Sequence, residues 1–148
     1  MVQMEDERVR MSYEVAVYRE QLSLLRREME RISITSMDMT NALQSVEKLE
    51  KKNVLVPLGG GTFMKSAITD TKILVPIGAE FLTEMEKEEA GREIRRRIDA
   101  TNQAVTRLNE EFDKINKKLK EVAIRLREAE QNVRLSNRVE EGIKEDYI

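Results

Sequence analysis

Val54-Leu55-Val56-Pro57-Leu58-Gly59 recurs nineteen residues later as Ile73-Leu74-Val75-Pro76-Ile77-Gly78. Each copy is an apolar, β-branched run ending at proline and glycine, followed by a turn and a second apolar piece (Phe63–Thr69, then Phe81–Thr83). This duplication predicts two tandem β-hairpins over 53–84, with Thr69-Asp70-Thr71-Lys72 as the turn between them. Gly59-Gly60-Gly61 can supply the positive φ values of a tight turn or bulge. Neither proline can donate to a ladder, so Pro57 and Pro76 belong at an edge, a strand end or a bulge. The strands are apolar nearly end to end, so they need cover on both faces. Four short strands cannot supply it, and their open edges invite further pairing. The segment is therefore expected to be finished by strands of other chains, through Val54, Leu55, Val56, Leu58, Phe63, Met64, Ile68, Ile73, Leu74, Val75, Ile77, Phe81 and Leu82.

Outward from this segment the composition changes. Both prolines and four of the six glycines lie between 53 and 84, and the flanks hold only Gly91 and Gly142. Each flank carries a seven-residue repeat. In the first arm (1–52) the a positions are Val15, Leu22, Met29, Ser36 and Leu43, and the d positions are Met4, Met11, Tyr18, Leu25, Ile32, Met39 and Val46. In the second arm (85–148) they are Ile98, Val105, Phe112, Leu119, Leu126 and Val133, then Ile94, Thr101, Leu108, Ile115, Val122 and Ala129. A sustained 3.5-residue apolar period is the pattern of a coiled coil. Each arm could pair with a copy of itself, but two matching seams of similar length favour a hairpin in which the arms double back on each other. Setting paired residue numbers to sum to 137 places Leu22 against Ile115, Leu25 against Phe112, Met39 against Ile98, and Ser36 against Thr101. It also places Arg8 against Ala129, with its stem free to reach outward. The fold class is thus α+β: a long antiparallel coiled-coil hairpin carrying two tandem β-hairpins that strands of other chains complete.

The 148 residues hold 26 basic and 28 acidic side chains, a net charge of −2. No broad basic field is available for nucleic acid or anionic lipid. Cys, His and Trp are absent, which removes thiol and imidazole catalysis, their metal sites, and disulfides. The lack of Cys fits a reducing compartment. The longest apolar run, Val54–Leu58, falls far short of the ~20 residues of a membrane span, and Met1–Arg10 lacks the features of a secretion signal. A cytoplasmic protein is expected. Gly59-Gly60-Gly61-Thr62 before Lys65-Ser66 superficially suggests a phosphate loop, but the glycine required immediately before Lys65 is missing and no helix should follow. Arg95-Arg96-Arg97 reads as a solvated helix face. Glu84-Met85-Glu86-Lys87-Glu88-Glu89 reads as a helix start with Thr83 as N-cap. No catalytic, cofactor or metal-binding residue is assigned, and no enzyme is expected.

A long helix, two hairpins containing Val54–Lys65 (VLVPLGGGTFMK) and Ile73–Phe81 (ILVPIGAEF), and a second long helix resemble the α-class subunit of prefoldin, in its archaeal form. The second hairpin departs from the family pattern at Glu80, where a glycine is usual, and at Pro76. The resemblance implies an ATP-independent co-chaperone without cofactors. Two α-class and four β-class subunits would join their hairpins into an intersubunit double β-barrel platform in a hetero-hexamer, completing the α+β fold class. Coiled-coil tips would hold unfolded clients and pass them to a group II chaperonin. In this chain the tip would be formed by Met1, Val2, Met4, Val9, Met11, Leu135, Val139, Ile143, Tyr147 and Ile148. Met4 and Met11 also occupy seam positions, so core packing competes with client contact there. The alternative is a structural coiled-coil scaffold that oligomerises through its β segment without binding clients.

Overall fold

The computed structural model describes residues 2–146. Its elements run α1 (Val2–Glu47), β1 (Asn53–Gly59), β2 (Thr62–Ala67), β3 (Ile73–Gly78), β4 (Phe81–Met85) and α2 (Lys87–Glu145). The glycine- and proline-free arms are the two helices, and the breaker-rich middle is two separate two-stranded antiparallel sheets. Cα proximity groups the chain into two compact units, 1–30 with 106–148 and 31–105.

In the first unit, Met11, Val15 and Val122 form a buried cluster joined by Tyr18, Leu119, Ala123, Leu126 and Ala129. Seven of these eight lie on the anticipated seam, and the α1 and α2 numbers run in opposite directions. Arg26 lies over the Phe112 ring, 5.7 Å from its centroid, while Arg8 shares a groove with Leu126 and Glu130. The a and d residues of both arms are buried or half-buried except Met4, which is exposed. Arg8 differs from expectation. Its Nε is buried without a hydrogen-bond partner, so its head does not clear the seam fully.

In the second unit, Val46, Val75 and Ala90 form the core, with Ile73, Met85 and Ile94 packed against them. Ala90 is wholly enclosed, and only a small side chain lets strand and helices approach so closely. Ser36 donates to Asn102 Oδ1 at 3.2 Å, whereas Thr101 turns back to the Arg97 carbonyl at 2.8 Å. The heptad register therefore holds, since Asn102 adjoins the anticipated Thr101. The two hydroxyls do not meet, because a helical threonine can satisfy itself on the carbonyl four residues back.

Both hairpins contain the anticipated irregularity. The pairing slips between Pro57 and Gly59 and again between Pro76 and Gly78. A bulge there accommodates a residue with no N–H to offer. The first turn runs through Gly59, Gly60 and Gly61, all at positive φ, with Thr62 Oγ1 donating to the Gly59 carbonyl at 2.7 Å. The second uses Gly78, then Ala79 (φ 47°) and Glu80 (φ 65°), so two side-chain-bearing residues hold the left-handed conformation. Between the hairpins, Asp70 Oδ1 accepts from the Lys72 N–H at 3.0 Å, a local side-chain turn.

The start of the second helix is corrected. Thr83 is in β4 and caps nothing. β4 extends to Met85, which pairs with Ile73, and α2 opens where the Ala90 N–H donates to the Glu86 carbonyl at 2.9 Å. Burial of Met85 beside Val46 and Val75 keeps residues 84–85 in the sheet.

Candidate functional site

The β hairpins present two kinds of face. In β3–β4 the register places Ile73, Val75, Thr83 and Met85 on one side and Leu74, Pro76, Leu82 and Glu84 on the other. The first side packs on the helices: Val75 is 3% exposed, and Ile73 and Met85 are half-buried. The second side is open at Leu74 and Leu82, and Ile77 and Phe81 at the turn end are open too. In β1–β2, Leu55, Pro57, Phe63 and Lys65 share one face and Val54, Val56, Met64 and Ser66 the other. Leu55, Val56, Leu58, Phe63 and Met64 are all exposed, while Val54 and Ile68 are half-buried. Phe63 and Phe81 leave 60% and 69% of their surface bare. Apolar exposure this concentrated makes these faces a candidate interaction surface. Among the described residues each sheet has two strands, so every strand has an unpaired edge. Val75 is a correction to the anticipated contact set: its side chain is used up inside its own chain.

An electrostatic lock fastens the second hairpin to the helices. Arg96 holds Glu93 through two bonds, Nε to Oε2 at 3.0 Å and Nη2 to Oε1 at 2.7 Å. Arg97 Nε donates to Glu93 Oε1 at 2.9 Å, and its Nη2 reaches the Pro76 carbonyl at 2.7 Å. The Arg96 and then the Arg97 hydrogen bonds hold the Glu93 carboxyl down at about 2, well below its ordinary 4.5, and Arg96 is correspondingly raised. Arg95 pairs with Glu47 of α1, and Lys87 Nζ donates to the Leu49 carbonyl at 3.1 Å. The reading of Arg95–Arg97 as a solvated face is thus corrected for Arg95 and Arg97. Their partners lie 48 and 21 residues away in sequence, and helical spacing holds no signal for such contacts. The acceptor for Arg97 becomes visible only once Pro76 is placed at the bulge.

The chain ends contribute the second candidate surface. Val2, Met4, Val9, Leu135, Val139 and Ile143 are exposed, Val2 by 74%. Met11 is another correction. It is buried against Val15 and Val122, as its seam position requires, and is not part of the exposed apolar set. Met1, Tyr147 and Ile148 lie outside the described residues. Among the described residues, no group of carboxylates is arranged to hold a metal ion, and no helix is long and apolar enough to cross a membrane.

Two long helices flanking a pair of small, apolar-faced β-hairpins define a coiled-coil assembly subunit, and comparisons specify which kind. The prefoldin subunit family model matches residues 18–132, so the chain belongs to the prefoldin family, a family of chaperones rather than enzymes. It is similar to archaeal α subunits. Identity is 26% to that of Pyrococcus horikoshii over 137 residues, covering 88% of this chain and 93% of the relative. It is 30% to that of Pyrobaculum islandicum over 108 residues, covering 72% and 82%. The fold matches the filamentous PFD of Methanocaldococcus jannaschii, solved by cryo-EM, with a TM-score of 0.65 at 24% identity over 77% of this chain and 98% of that one. It also matches the prefoldin β subunit crystal structure from Thermococcus strain KS-1, with a TM-score of 0.59 at 19% identity over 82% and 90%. Membership supports a co-chaperone role.

Proposed function

We propose that this chain is the α-class subunit of a cytoplasmic, ATP-independent co-chaperone that captures unfolded proteins at its coiled-coil ends and passes them to a group II chaperonin. Its hairpins would join those of four β-class subunits and a second α-class subunit. The open Leu55/Phe63 and Leu74/Leu82 faces and the unpaired strand edges supply the surface such joining needs. The observation that carries the client reading is the bare apolar set at the chain ends. Val2, Met4, Val9, Leu135, Val139 and Ile143 remain exposed on helices whose other apolar residues mostly line a seam. Unbranched, polarizable methionine adapts to many partner shapes.

The test replaces Val2, Val9, Leu135, Val139 and Ile143 by serine together, leaving Met11 and the seam untouched. Aggregation of a denatured model protein is then followed without nucleotide. The expected result is loss of suppression with helicity and assembly unchanged. Full suppression by the variant would overturn the reading.

A further inference from the structure

The duplicated hairpins correspond position by position at an offset of nineteen. Leu55, Pro57, Phe63 and Lys65 share one face of the first, and Leu74, Pro76, Leu82 and Glu84 share the matching face of the second. Three of these four positions are apolar in both copies, and the fourth reverses sign, from Lys65 to Glu84. Both charged side chains are exposed, and neither has an ion-pair partner among the described residues. Lys65 is the only charged residue of 53–69, and Glu80 and Glu84 are the only ones of 73–85. Both signs persist over wider spans. Residues 50–69 sum to +2 (Lys51, Lys52 and Lys65 against Glu50), and 70–86 to −3 (Asp70, Glu80, Glu84 and Glu86 against Lys72).

The strand edges divide in the same way. Both prolines lie in β1 and β3, where each removes a ladder donor and blunts the edge. The Pro76 carbonyl is also taken by Arg97 Nη2 at 2.7 Å. β2 and β4 contain no proline, and each has a single partner strand in its own separate sheet, so its other edge is open. These are the strands that carry Lys65 and Glu84. Opposite charges on neighbouring strands stabilise pairing and like charges oppose it. Setting β2 beside a second β2, or β4 beside a second β4, brings like charges together, whereas β2 beside β4 unites unlike ones.

We propose that this chain recognises a second copy of itself by adding β2 of one copy to the open edge of β4 of the other, with Lys65 and Glu84 selecting that pairing. The inference deepens the reading that the hairpins join subunits, and it rests on that reading. The joined sheet has four strands, and Leu55, Phe63, Leu82 and Leu74 become one continuous apolar face. Because the two edges belong to different hairpins, the contact is heterologous and every copy offers one edge of each kind.

The experiment follows self-association of the full-length chain by analytical ultracentrifugation, without a β-class subunit. It compares the unsubstituted protein, K65E, E84K, an equimolar mixture of those two variants, and K65E/E84K. The unsubstituted chain should associate at micromolar concentration. K65E leaves only carboxylates at the two selecting positions and E84K leaves only ammonium groups, so each alone should need about tenfold more protein to associate. The mixture restores an opposite pair at every contact and should associate as the unsubstituted chain does, and so should K65E/E84K. The tenfold gap should shrink to within about twofold near 0.5 M salt. A monomeric unsubstituted chain, single variants that associate as readily as it does, or a mixture no better than its components would overturn the proposal. A monomeric chain that still forms a complex with a β-class subunit would remove this inference alone, whereas absence of both would remove the assembly reading with it.

Discussion

Glu93 shows how one side chain can tie helix to sheet. Its carboxylate collects both bonds of Arg96 and one of Arg97, which leaves Arg97 Nη2 free for the Pro76 carbonyl. Because its folded-state pKa is depressed, the ionised form favours the native state. That contribution is complete above the ordinary value of 4.5 and fades as pH falls from there toward about 2. Glu93→Gln is therefore expected to lower the urea midpoint at pH 7, with the gap to the unsubstituted protein narrowing steadily as pH falls below 4.5. A gap independent of pH between 7 and 3 would contradict the assignment. The (i, i+3) and (i, i+4) spacing of Glu93 to its arginines was legible in the chain itself. The carbonyl at Pro76 was not, since it arrives through a bulge.

Among the elements, the second hairpin is the one that breaks a local rule. Its turn places Ala79 and Glu80 at positive φ where the first hairpin uses Gly60 and Gly61. A left-handed L-residue costs roughly 1–2 kcal/mol, whereas asparagine followed by glycine suits a two-residue hairpin loop. A79N/E80G should stabilise the chain by about 1 kcal/mol in chemical denaturation, with hairpin register unchanged by amide exchange. The prolines and glycines announced the turns, and the duplicated apolar runs announced the strands. Which face of β3 is buried was not legible, because Ile73, Leu74 and Val75 are all apolar and only contact with Val46 and Ala90 separates them.

At the scale of the molecule, the distribution of apolar surface decides behaviour. The described residues bury no polar or charged residue as a whole, yet they leave Leu55, Leu58, Phe63, Leu74, Ile77, Phe81 and Leu82 open on short strands with free edges. If these faces are assembly surfaces, L55D/F63D places two carboxylates on one face of the first hairpin and should abolish the complex with a β-class subunit in native mass spectrometry. Helicity by circular dichroism should be unchanged, since neither residue packs in the chain's own core. Survival of the complex would assign assembly elsewhere.

The chain by itself determined two breaker-free heptad helices, a duplicated strand–turn–strand unit between them, and the seam register that sets Ser36 level with Thr101. Those properties follow from periodicity, glycine and proline, which act over a few residues. The tertiary structure alone decided that Val75 is interior, that Arg97 reaches the Pro76 carbonyl, and that β4 continues to Met85. Each of these depends on which surfaces distant segments bring together, and a side chain's burial is a property of its neighbours rather than of its own chemistry.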